Sequence, residues 1–129
     1  MGKVYKKVLL IDDSEVDNFM NEKLIKHLGF AKEVVLKDSA SSALEYLSTE
    51  KEDAMPELIF LDIMMPLMDG FTFLEELDKK EEHVKNCCKV IMLSSSESFK
   101  DLNRANKSIY VYKFLNKPLT EANLNAINI

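Results

Sequence analysis

Five short, mainly apolar runs punctuate the chain: Val8-Leu9-Leu10-Ile11, Val34-Val35-Leu36, Leu58-Ile59-Phe60-Leu61, Val90-Ile91-Met92-Leu93 and Ile109 to Leu115. Unbroken runs of this length suit strands buried on both faces, as in a parallel sheet with helices on either side. The stretches between them have helical period. In the first, Val16, Phe19, Met20, Leu24, Ile25 and Leu28 follow the i, i+3, i+4 rule and are expected to face the core. Ser14 and Asp17 form an S-x-x-D capping pattern at its start, and Gly29 supplies a C-terminal stop.

A second helix is expected over Ser39 to Leu47, burying Ala40, Ala43, Leu44 and Leu47. A third starts at Gly70 and buries Phe71, Phe73, Leu74 and Leu77; its exit, DKKEEHVKN, reads as a solvated helix end and loop. A fourth, from Phe99 to Ala105, has a thin apolar face of Phe99, Leu102 and Ala105. A fifth, after Pro118, carries Leu119, Ala122, Leu124 and Ile127 and is short, ending at Ile129. Strands alternating with helices predict an α/β domain, (βα)5, with a parallel sheet. Right-handed crossovers leave few topologies, and the flavodoxin-like strand order 2-1-3-4-5 is the expected one.

A chain of 129 residues is expected to form one domain over 1–129, with no linker or internal repeat. The net charge of −5 argues against a nucleic-acid-binding face. No apolar stretch approaches the roughly 20 residues of a membrane span, and MGKVYKKV lacks the apolar segment of a secretory signal. Lys6 stands where myristoylation of Gly2 favours Ser or Thr. A cytoplasmic protein is expected. Neighbouring Cys87 and Cys88 are expected to be reduced, and His27 and His83 have no metal-ligand spacing.

In sheets of this kind ligands bind beyond the carboxyl ends of the strands, near the switch in strand order. Asp12 and Asp13 follow the first strand, Asp62 the third, Ser94 and Ser95 the fourth, and Lys117-Pro118 the fifth. Each has an ordinary alternative: a helix cap, a strand end, a turn hydroxyl, a surface lysine. Together they face one crevice. Three converging carboxylates need a cation to stay ionised, and Mg2+ takes one or two carboxylates while keeping several waters. Asp13 and Asp62 suit direct ligation, with Asp12 holding a metal-bound water. A lysine and a hydroxyl aimed at the same point suit a phosphoryl group. Asp62, at the centre, then serves as the nucleophile that becomes an aspartyl phosphate.

With these residues in place, the chain resembles the receiver domain of bacterial two-component response regulators, of the stand-alone, chemotaxis-regulator-like kind. The resemblance runs from about Lys6 to Leu124 and rests on LLIDDSEVDN, LIFLDIMMPLMDG, VIMLSSS and FLNKPL in that order and spacing. It implies that Asp62 is the phosphoacceptor. Asp12, Asp13, Asp62 and the Met64 backbone carbonyl would hold Mg2+, with Mn2+ as a substitute. Ser94 and Lys117 would bind the phosphoryl group, and the Lys117-Pro118 bond would be cis. Ser94 and Phe114 would form the conformational switch; Phe114 lacks a hydroxyl, so it acts through packing, and Tyr112 sits two residues earlier on the same strand face. Ser94 stands where Thr is commoner, and Asn106-Lys107-Ser108 replaces the usual Gly-Ala before the fifth strand.

The function expected is phosphoryl acceptance from a sensor histidine kinase or histidine phosphotransfer protein, followed by contact with a downstream protein target. No direct role with nucleic acid or membrane is expected, and no enzymatic turnover beyond the domain's own phosphorylation and dephosphorylation. A relay intermediate that passes the group to another histidine has the same sequence features. A Mg2+-dependent phosphohydrolase commonly wants an acid two positions after the nucleophile, where this chain has Met64. A flavin module wants a glycine- or hydroxyl-rich phosphate loop after the first strand, where this chain has two acids.

Overall fold

The computed structural model describes residues 4–94 and 99–127. Gly2, Ser95 and Ile129 lie outside them, as do the side chains of Cys87 and Phe99. The five strands are β1 (Tyr5–Ile11), β2 (Ala31–Lys37), β3 (Leu58–Asp62), β4 (Lys89–Ser94) and β5 (Val111–Asn116). The helices are α1 (Glu15–His27), α2 (Ala40–Thr49), α3 (Gly70–Asp78), α4 (Glu82–Cys87), α5 (Phe99–Asn106) and α6 (Glu121–Asn125). The strands form one parallel sheet in the order β2-β1-β3-β4-β5, the predicted flavodoxin-like arrangement.

β3 is buried along its whole length, which its unbroken LIFLD sequence requires. One apolar layer joins Leu9, Leu61 and Met92 of the sheet to α2 and α3. The other joins Leu10, Phe60 and Ile91 to Ile25 of α1 and Leu124 of α6. The expected burial of Ala40, Ala43, Leu44 and Leu47 on α2, and of Phe71, Phe73, Leu74 and Leu77 on α3, is found. Ser39 caps α2 and Asp69 caps α3, each accepting the N–H of the residue three positions on.

Four expectations need correction. On α1, Val16, Phe19 and Met20 are not core residues but are 70%, 54% and 58% exposed. The inward stripe runs instead through Asn18 and Ile25; at about 100° per residue, Val16 and Met20 fall on nearly the opposite side. The charged exit DKKEEHVKN is not simply a loop: it contains α4, anchored by buried Val84, which packs with Leu77 and Cys88 in the first layer. β5 begins at Val111, so Ile109 projects into solvent from the preceding turn, while Tyr110 is buried. In α6, Ala122 is exposed; Leu124 of the helix, with Leu119 before it and Ile127 after it, joins the apolar layer against the sheet. A short 3-10 turn over Glu52–Ala54 is also present, with Lys7 Nζ donating to the Ala54 carbonyl at 2.7 Å.

Candidate functional site

The carboxyl ends of β1, β3, β4 and β5 meet at one edge of the sheet. β1 delivers Asp12, which is buried and bonds through its N–H to the Lys37 carbonyl of β2. Asp13, one residue on, turns out to solvent. Asp62 ends β3 in the middle of the sheet and is buried. Ser94 ends β4, also buried, and its carbonyl accepts the Lys117 N–H at 2.7 Å. The Lys117-Pro118 bond is cis, as the resemblance implied.

Lys117 reaches across the sheet end. Its ammonium donates to Asp12 Oδ2 at 2.7 Å and lies 3.2 Å from Asp62 Oδ1. Burial alone would lower its pKa, but Asp12, Asp62 and Asp17 together raise it above the ordinary lysine value. Asp62 moves the other way from a free carboxylate. Burial first, then the charge of Asp12, push it up to about 6 against the opposing pull of Lys117. Asp12, Asp13 and Asp62 each offer an oxygen, and these atoms lie within 4.8 Å of one another. Three carboxylates against one ammonium leave negative charge uncompensated, and an all-oxygen donor set suits a hard divalent cation. The residues fit Mg2+.

The loop between β3 and α3 is held tightly. The Gly70 N–H donates to the Ile63 carbonyl, and a Cβ on Gly70 would lie 2.8 Å from the Asp62 carbonyl oxygen. Leu67 sits at φ +70°, unusual for a branched residue, and its side chain is wholly exposed. The Met64 side chain is exposed as well. On β5, Phe114 is half-buried against the α2–α3 layer, whereas Tyr112 is exposed under the Lys89 ammonium, 5.6 Å from its ring centre.

Two residues here escaped the sequence reading. Asn18 on α1 is buried, its amide donating to the Asp12 and Lys37 carbonyls at 3.0 and 3.2 Å. It fastens α1 to the ends of β1 and β2. Its Oδ1 has no hydrogen-bond partner among the described residues. A polar residue on the inward side of a helix, seven before Ile25, was the available signal. Asp17, read as a capping residue, places Oδ2 3.1 Å from the Lys117 ammonium. Beside Asp13 lies an open groove of about 850 Å³, rimmed by exposed Val16, Phe19 and Leu36 together with Asn18 and Ser42.

Comparison with known proteins agrees with this arrangement. The model of the response regulator receiver domain matches residues 8–128. The chemotaxis protein CheY of Halobacterium salinarum is 31% identical over 88% of this chain and 88% of its own. The probable methanogenesis regulatory protein FilR2 of Methanothrix harundinacea is 28% identical over 88% of this chain and 72% of its own. The crystal structure of a two-component response regulator from Cytophaga hutchinsonii superposes with a TM-score of 0.88 at 30% identity, covering 95% of this chain and 93% of that one. Matching histidine kinases are far longer, and the chain spans between 6% and 8% of their length. The chain belongs to the response regulator receiver domain family.

Proposed function

We propose that Asp62 accepts a phosphoryl group from a phosphohistidine on a sensor kinase or phosphotransfer protein, in a Mg2+-dependent reaction. One observation carries the reading: the ligand oxygens of Asp12, Asp13 and Asp62 converge within 4.8 Å, with the Lys117 ammonium against two of them. Asp13, Asp62 and the Met64 carbonyl would hold the ion, with Asp12 beside it directly or through water. When bound, Mg2+ neutralises charge on the carboxylates and on the transferring group. A carboxylate oxygen of Asp62 attacks phosphorus. The new P–O bond forms as the P–N bond breaks, and the imidazole leaves with the bonding pair. Lys117 pairs with one phosphoryl oxygen and the Ser94 hydroxyl donates to another. Phe114, half-buried on β5, passes the change on through packing.

The exposed Val16, Phe19, Met64 and Leu67 around the site suit a protein donor, since a small-molecule substrate has no use for them. The output in this reading is contact with a downstream protein, with no turnover of a separate substrate and with no nucleic acid or membrane involved. A cytoplasmic setting follows from such partners. Among the described residues no helix is long and apolar enough to cross a membrane.

Intact mass spectrometry after incubation with acetyl phosphate tests the proposal. The expected outcome is gain of a single phosphate with Mg2+, none with EDTA, and none in Asp62→Ala. An Asp62→Ala variant that gains acid-labile phosphate at the unaltered rate would sink the assignment.

A further inference from the structure

The Lys117 ammonium has three carboxylate neighbours, and they are unequal. Asp12 and Asp62 side chains are 4% and 6% exposed; that of Asp17 is 43% exposed. Asp17 occupies the third position of α1, where an acid commonly turns back to bond the N–H of the capping residue. Here only half of that exchange is made. Ser14 Oγ accepts the Asp17 N–H at 3.2 Å, but the Ser14 N–H goes to Asp12 Oδ1 at 2.9 Å. The Asp17 carboxylate is left for Lys117, 100 residues away in sequence. α1 is thereby joined to the site by an ion pair that helix capping does not explain.

We propose that Asp17 is a positioning residue for phosphoryl transfer: it shares the Lys117 ammonium with Asp62 at rest and loses it when a phosphoryl group arrives. The proposal rests on Asp62 being the phosphoacceptor. A dianionic group on Asp62 adds a strong competitor for the ammonium, so one of the three pairings must weaken. Asp17 is the partner that gives way, because it is half in water and its carboxylate can be rehydrated at little cost, whereas Asp12 is buried. The first turn of α1 then loses its tie to Lys117, just beyond β5, whenever Asp62 is modified. That turn carries exposed Val16 and leads into exposed Phe19 and Met20, so a state of the site becomes a change at an apolar surface.

Asp17→Asn and Asp17→Glu separate this role from a structural one. With acetyl phosphate and Mg2+, Asp17→Asn should be phosphorylated about two- to five-fold faster, the scale of one half-exposed charge acting on a neighbouring anion. Asp17→Glu, which restores the carboxylate, should return the rate toward that of the unaltered protein. In parallel, amide NMR spectra are recorded with Mg2+ and beryllofluoride, a phosphoryl mimic. Signals of residues 15–18 should move in the unaltered protein and move by less than half as much in Asp17→Asn, while those of β4 respond in both. An unchanged phosphorylation rate, or an undiminished α1 response in an Asp17→Asn protein that takes up beryllofluoride, overturns the proposal. Failure of both proteins to take up beryllofluoride or phosphate overturns the phosphoacceptor reading, and the proposal with it.

Discussion

A carboxyl raised to about 6 makes folding depend on pH in an unusual direction for an aspartate. The ordinary value is 3.8, so between about pH 4 and pH 6 folded Asp62 binds more protons than unfolded Asp62. Stability therefore falls as pH rises through that window, and the penalty remains above it. Urea unfolding in EDTA should show this decline, and Asp62→Asn should lack it. Added Mg2+ should offset that loss, raising stability above pH 6, by binding the ionised form. Gly70 is a second residue with no room for change. An alanine Cβ would meet backbone at Asp62 and Ile63, with Met92 Cε 3.1 Å away, and backbone cannot swing aside. Gly70→Ala should cost about 1–3 kcal/mol in urea unfolding and weaken Mg2+ binding measured by calorimetry.

At the scale of elements, α1 shows how an apolar pattern misleads. Its lower half lies over the sheet, where Ile25 is fully buried, but its first turns stand at the sheet edge beside the acids. There the inward position must satisfy carbonyls at the ends of β1 and β2, so Asn18 takes it and apolar residues face out. Met20→Ala should change stability by less than about 0.5 kcal/mol, whereas Ile25→Ala should cost about 2–5 kcal/mol; thermal or urea melts compare the two directly. α4 misleads the other way. Its charged run hides an inward Val84, too little for a periodicity argument but enough to dock a short helix. The edge strand β5 is covered unevenly, with Tyr112 open and Phe114 half-buried.

For the whole molecule, the strands and the acids at their ends were legible because each follows from short-range sequence, the strand order followed from the few topologies that right-handed crossovers allow, and the cis proline was implied by the family resemblance alone. Apolar runs mark central strands, and what immediately follows a strand must lie at its carboxyl end. What could not be read was set by distant partners. Nothing local to Asp17 announces Lys117, and nothing local to Asn18 announces the Lys37 carbonyl. The exposed side of α1 was misread for the same reason, since a helix's inward face depends on what it is laid against.

Lys117 and Asp12 are separated by 105 positions along the chain. Closing a loop of that size is among the slower and entropically dearer events in folding. The acidic cluster alone needs just β1 and β3, which lie in the first half, but its balancing cation arrives with the last strand. Along the chain the carboxylates thus come well before the ammonium that compensates them. The charge balance of this cluster is therefore a property of the finished sheet: Asp12 and Asp62 meet their ammonium only once the segment after β5 is in place.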